Sequence, residues 1–251
     1  MTTTTAEAHV PWSHAEAMAL AEEAYDRVVA VLESLDPDDW DRPTDCEGWT
    51  VRDLAGHLVG ALRSAASIRE LARQQLGAKR RARAEGGDEV DHMTAIQVAS
   101  TAALSNEQLV TEARRLVPKA VAGRRRTPAL LRRTVRIPVT MGSLSETWTL
   151  GWFVDVCLTR DAWLHKIDLC RAVGQEPALT PEHDGRIVAD VVDDWARRHG
   201  RPFHLVLTGP AGGRFGDPAV GDPLEVDAVD LCRILSGRSS GTGLLATEVP
   251  F

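Results

Sequence analysis

Apolar residues recur at helical spacing in the first clear element, from about Ser13 to Leu35, where Ala17, Leu20, Ala21, Ala24, Val28, Val31 and Leu32 share one stripe. The acidic segment DPDDWDRP ends it. A second helix opens at Thr50, where Thr50-Val51-Arg52-Asp53 has capping-box form with Asp at the third helical position, and the pattern runs on to about Leu76. Lys79 to Asp91 (KRRARAEGGDEVD) is polar and glycine-containing and reads as a loop. Ser105, with Gln108 three residues on, begins another capped helix that reaches about Ala120. A basic, proline-punctuated stretch follows from Arg124 to about Pro138. A third long periodic helix runs from about Leu150 to Val173 and is closed by Gly174.

The pattern changes after Pro181. A helix over about Pro181–His199 leads to Phe203-His204-Leu205-Val206-Leu207, rich in strand formers, then to glycine- and proline-rich turns and a helix around Leu224–Leu235. The organisation expected is mainly α: a helical bundle over residues 1–177 followed by a small C-terminal α/β domain over residues 178–251.

Composition narrows the function classes. Hydrophobic residues make up 43% of the 251 and charged residues 26%, as in soluble globular proteins. A net charge of −7 argues against a general polyanion binder, so no nucleic-acid partner is expected. Lysine occurs only at Lys79, Lys119 and Lys166 among 29 basic residues, an arginine bias that a GC-rich genome, as in actinobacteria, would encode. Cys46, Cys157, Cys170 and Cys232 are scattered and form no CxxC pair, which points to reduced cytosolic thiols. The segment MTTTTAEAHVPWSHAEA has neither a basic nor an apolar leader region, and no run reaches the ~18 apolar residues of a membrane span. A cytoplasmic protein without a membrane partner is expected.

The chemistry concentrates on two helices. His57 shares a stripe with Leu54, Leu58 and Ala61, which turns its imidazole toward the interior of a bundle. On the third long helix, Val154, Leu158, Asp161 and His165 form a similar stripe, and residues four apart lie one turn above another. Burying such groups unpaired costs roughly 2–7 kcal/mol for a polar group and far more for a charge. A divalent metal held by His57, Asp161 and His165 is one compensation, since bundles assemble such sites from facing helices and three ligands leave a position open. An Asp161–His165 hydrogen bond without metal is the other, and a hydrogen-bonded core histidine is the ordinary fate of His57. The arginine clusters 124–126 and 132–136 fit an anionic ligand, but without interleaved aromatics they read first as a solvated loop or helix end. Trp49, Trp148, Trp152, Trp163 and Trp195 read as core or pocket walls, and Cys157 and Cys170 as small core residues. HExxH and glycine-rich phosphate loops are absent from the sequence.

The segment CEGWTVRDLAGHLVGA (Cys46–Ala61) resembles the N-terminal signature of the mycothiol-dependent maleylpyruvate isomerase family, within the wider DinB-like metalloenzyme group. TRDAWLHKIDLCRAVG (Thr159–Gly174) is similar to that family's other metal-binding helix, and DAVDLCRILSGR (Asp227–Arg238) and the ending GLLATEVPF also match. The resemblance implies a DinB-like four-helix bundle with a small C-terminal α/β domain, and a divalent metal, usually zinc, on His57, Asp161 and His165. Some members carry Glu where this chain has Asp161. Arg238 matches an arginine implicated in the isomerase's activity, and Asp168 stands where it would orient the His165 imidazole or be a surface charge. The function implied is a mycothiol-dependent isomerase or S-transferase, with the thiol and a small electrophilic substrate as partners and Arg238 holding an anionic group. Two other readings stay open: a non-catalytic metal- or ligand-binding protein on the same scaffold, and a metal-dependent hydrolase with water in place of sulfur.

Overall fold

A computed structural model of the chain describes residues 12–141 and 144–251, so the leader reading of residues 1–11 lies outside the described residues. The chain is mostly helical, as expected, with a small sheet region. It divides into two compact units, Ser13–Gln175 and Glu176–Phe251, the latter with Trp12.

In the first unit, helix α1 (His14–Glu33) starts where the Ser13 hydroxyl accepts from the Glu16 N–H, and it buries the predicted stripe except Val31, which is half-buried. Helices α2 (Val51–Ala66), α3 (Ile68–Glu85), α4 (Glu89–Thr101) and α5 (Asn106–Arg125) follow, then a short α6 (Ala129–Thr134). Strands β1 (Arg136–Met141) and β2 (Leu144–Thr149) form an antiparallel hairpin. A one-turn α7 (Leu150–Trp152) passes through a π-helical turn, Phe153–Cys157, into α8 (Leu158–Val173). Helices α1, α2, α5 and α8 pack as a four-helix bundle, and α3 and α4 lie against α2. Close approach of α4 depends on glycines: a Cβ on Gly56 would meet Thr101 Oγ1 at 2.5 Å, and one on Gly60 would meet the Gln97 Cβ at 2.5 Å.

Several local expectations are corrected. The run from Thr50 to Leu76 is two helices, because Ser67 turns extended (φ −146°, ψ 115°) and its side chain caps α3 by accepting from the Glu70 N–H. The expected loop Lys79–Asp91 is helical to Glu85, since Lys, Arg, Ala and Glu are good helix formers, and the chain breaks only at Gly86, which adopts φ 77°. Helix α4 follows directly and went unread. The basic stretch after Arg124 holds α6 and the start of the hairpin, whose first strand alternates at Ile137, Val139 and Met141 but is interrupted by Pro138.

Arg124 is also no solvated residue. It is 2% exposed, and its guanidinium donates to Val154 O (2.9 Å), Tyr25 Oη (2.8 Å) and Thr159 Oγ1 (2.6 Å). Arg132 pairs with Asp155 at 2.7 Å. These two arginines brace the π-turn rather than an anion.

The second unit has a helix α9 (Arg186–His199) and a three-stranded sheet in the order β4 (Gly213–Gly216), β3 (His204–Thr208), β5 (Leu224–Asp227), with β3 antiparallel to β4 and parallel to β5. Helix α10 (Ala228–Leu235) follows, capped by Asp227, whose carboxylate accepts from the Val229 N–H at 2.8 Å. The helix expected around Leu224–Leu235 is therefore strand over its first third. Trp195 is fully buried in this unit and its indole N–H donates to Leu244 O at 3.0 Å.

Among the described residues no helix is long and apolar enough to cross a membrane.

Candidate metal centre

Helix α2 is fixed at its start by a reciprocal capping box: the Thr50 hydroxyl accepts from the Asp53 N–H (3.2 Å), and Asp53 Oδ2 accepts from the Thr50 N–H (3.0 Å). Two turns further on, His57 lies on the buried face with Val51, Leu54 and Leu58, and is itself 5% exposed. Helix α8 buries Leu164 and Ile167 completely, and so carries Asp161 and His165 toward α2. It ends at Gly174 in the left-handed region (φ 70°).

The structure brings the three predicted residues together. His165 Nε2 stands 3.3 Å from Asp161 Oδ1, and His57 Nε2 stands 3.8 Å from Asp161 Oδ2. The two imidazole rings meet edge to face with centroids 5.0 Å apart. One donor atom from each residue falls within 4.8 Å of the others. In a tetrahedral zinc site with bonds of ~2.1 Å, neighbouring donors lie about 3.4 Å apart. The His165–Asp161 edge already has that length, and the His57 side lies farther out and would have to close in on an ion.

Both ring nitrogens of His57 are buried and have no hydrogen-bond partner. An unsatisfied buried polar group costs about 1–3 kcal/mol, and a neutral imidazole aimed at a carboxylate and a second imidazole is a metal ligand by type. The donor set therefore fits a divalent cation. Asp161 is the accessible member, with its side chain 25% exposed against 7% for His57, so the solvent-facing side of the cluster is the carboxylate side.

His165 is held from behind. Its Nδ1 lies 3.0 Å from Oδ2 of Asp168, which is completely buried. Asp168 is thus not a surface charge: with the proton on Nδ1, it accepts from the ring and leaves the Nε2 lone pair facing Asp161 and His57. Burial alone would lower the ionisation of His165, yet Asp161 and the hydrogen bonds around the ring hold its pKa well above the ordinary value. Burial alone would raise Asp161, but the charge and hydrogen bond of His165 hold it well below the usual carboxylate range. The pair therefore favours carboxylate with protonated imidazole, and a divalent cation would take the place of that proton.

Trp49 stands at the site as the pocket wall expected of it, and Cys46 is a neighbour to which the sequence assigned no role. The turn from Thr44 to Trp49 closes through the Trp49 N–H to Cys46 O (3.0 Å) and the Thr44 N–H to Trp49 O (2.9 Å), with Gly48 at φ 77°. It places the Trp49 ring 5.2 Å from that of His57 and Cys46 Sγ 3.8 Å from His165 Nδ1. No spacing signalled Cys46; it stands in the short C-E-G-W turn just ahead of the His57 helix. The other tryptophans behave as walls or core: Trp163 and Trp195 are fully buried, and Trp148 and Trp152 pack at 4.5 Å. Cys157 and Cys170 are buried core thiols.

Arg238 lies in the second unit, three residues beyond α10, and is half-buried. With Ile234, Ser239, Ser240, Leu245 and Glu248 it lines an open pocket of about 410 Å³.

The chain matches the family model described as "Mycothiol maleylpyruvate isomerase N-terminal domain" over residues 21–170. Among solved structures it is similar to the crystal structure of the mycothiol-dependent maleylpyruvate isomerase, with 18% identity, 91% of each chain covered and a TM-score of 0.54. A histidine-to-alanine mutant of that enzyme gives 17% identity over the same 91% of each chain and the same TM-score of 0.54. At this identity the likeness is one of fold. No curated protein sequence matches.

Proposed function

Because the chain belongs to the family of the mycothiol maleylpyruvate isomerase N-terminal domain, we propose that it is a metal-dependent enzyme using mycothiol to isomerise a small electrophile. The observation that carries this reading is the buried His57, partnerless at both nitrogens beside Asp161 and His165. The cation, zinc by donor type, would sit on His57, Asp161 and His165.

When bound, the cation and the thiol cofactor would supply a thiolate nucleophile at neutral pH, where a thiol of pKa ~8.5 is only a few per cent ionised. The side chains do the rest. His57 and His165 present neutral nitrogens from two helices and Asp161 offsets one positive charge from the accessible side. Asp168 keeps the His165 proton on Nδ1 and so fixes the ring's orientation. The indole of Trp49 covers one side of His57 and limits water there. Arg238 is proposed to pair with a carboxylate on the substrate, for which the guanidinium's planar fork is suited.

Metal content and thiol-dependent turnover of the purified protein test the reading. About one equivalent of zinc is expected, lost in His57→Ala, together with cis–trans isomerisation of maleylpyruvate that requires mycothiol. Full metal content in His57→Ala would overturn the ligand set. Turnover of a hydrolysable substrate without added thiol, and none of maleylpyruvate with it, would replace the isomerase by a hydrolase. S-conjugates accumulating as product would make it a transferase. Metal binding without turnover would leave a binding protein.

A further inference from the structure

The His165 ring faces two donor sets. Its Nε2 looks toward Asp161 and His57. Its Nδ1 looks toward Asp168 and Cys46, with Cys46 Sγ 3.8 Å from Nδ1 and 3.6 Å from Asp168 Oδ2, and Asp168 Oδ2 3.0 Å from Nδ1. For a tetrahedral ion with metal–sulfur bonds of ~2.3 Å and metal–nitrogen or –oxygen bonds of ~2.1 Å, donor separations are about 3.6 Å for sulfur pairs and 3.4 Å for the nitrogen–oxygen pair. The Cys46–His165–Asp168 triangle already has nearly those edges.

We propose that Cys46, Asp168 and the Nδ1 side of His165 form an inhibitory site for thiophilic divalent cations, exclusive of the site on the Nε2 side. A thiolate, an imidazole and a carboxylate together favour softer ions than two imidazoles and a carboxylate do. Asp168 is fully buried, whereas Cys46 is half-buried at the turn, which gives an ion an entry from solvent. Binding there releases the Cys46 thiol proton to solvent.

Exclusivity follows from the imidazole itself. A neutral ring has one lone pair. With the proton on Nδ1, the ring donates to Asp168 and offers Nε2 to the first site. With the proton on Nε2, it donates to Asp161 and offers Nδ1 to Cys46 and Asp168. An ion captured by Cys46 therefore removes His165 from the first site. The inhibitory part of this proposal rests on the metal reading of His57, Asp161 and His165; the binding part does not.

The test is a cadmium titration of the zinc-loaded protein, reading the ultraviolet sulfur-to-cadmium charge-transfer band and the zinc released. In the native chain the band should appear at stoichiometric cadmium, and zinc should leave with the same midpoint. Cys46→Ser and Cys46→Ala, at a half-exposed turn position, should lose the band and need at least tenfold more cadmium to release zinc. His57→Ala should keep the band. A band in both Cys46 variants, no band in the native chain, or a band with zinc fully retained would each overturn the proposal. Zinc retained by His57→Ala would overturn the first-site reading alone, since the band reports Cys46 whatever the fate of that reading.

Discussion

Nε2 of His57 stands 3.8 Å from Oδ2 of Asp161, beyond hydrogen-bonding reach although the imidazole is buried. The two residues face one another across a gap that neither helix closes alone. A histidine buried only for packing would normally have its nitrogens hydrogen-bonded.

His57→Leu should therefore act in opposite directions with and without metal. In chelator-treated protein it removes an unsatisfied polar group and should stabilise by about 1 kcal/mol. In the native chain, an excess of zinc at about 100 times its dissociation constant should add about 2.7 kcal/mol, and the variant should lose that gain. Urea unfolding with and without zinc measures both. A variant less stable than the native chain in chelator would show that His57 is satisfied by something else.

Asp168→Asn keeps the shape beside His165 Nδ1 but removes the carboxylate charge that holds the ring's proton there. Zinc affinity should fall by roughly 10–100-fold, the usual effect of altering the partner of a ligating histidine. Competition against a chromogenic chelator reads this directly. Unchanged affinity would mean that packing alone orients the ring.

The two arginine roles are separable by mutation. Arg124→Ala leaves Tyr25, Thr159 and the Val154 carbonyl without their shared donor, and should destabilise by about 2–4 kcal/mol. Arg126→Ala, at an exposed position, should change stability by less than about 0.5 kcal/mol. Equal urea midpoints for the two variants would contradict the buried bracing role.

Stability should decline on the alkaline side. Burial pushes the Cys157 thiol up, with Asp161's charge adding to it. Burial likewise pushes the Tyr25 hydroxyl up, against a partial offset from Arg124. In both cases the folded state holds its proton more tightly than the unfolded chain, whose groups ionise near about 8.5 and about 10. This contribution is complete below about pH 8.5 and is lost progressively as pH rises from those values toward the higher folded ones. Urea midpoints from about pH 7 to about pH 10 should fall, and Cys157→Ala should flatten the first part of the drop. A flat profile in the native chain would show that these groups ionise freely when folded.

What the sequence alone determined was local. The Thr50 and Ser105 caps, the Gly174 stop and the stripes of α1, α2 and α8 were legible because they depend on residues within one or two turns of each other. The pairing of Asp161 with His165 follows from a single helix turn in the same way. Tertiary structure decided the rest. Arg124 has a charged side chain like its neighbours, and only its partners Tyr25 on α1, Thr159 on α8 and the Val154 carbonyl account for its burial. Ser67 interrupts a pattern whose apolar spacing continues through it, so periodicity could not show the break. Cys46 reaches His165 across 119 positions of chain through a turn with no periodicity to read. The opposition of His57 to Asp161 likewise depends on how α2 seats against α8, which is set by the packing of all four bundle helices and the glycines that admit α4. Capping and periodicity act between chain neighbours and are written in order along the sequence; a ligand triangle is a distance between segments, and only the packed core fixes that.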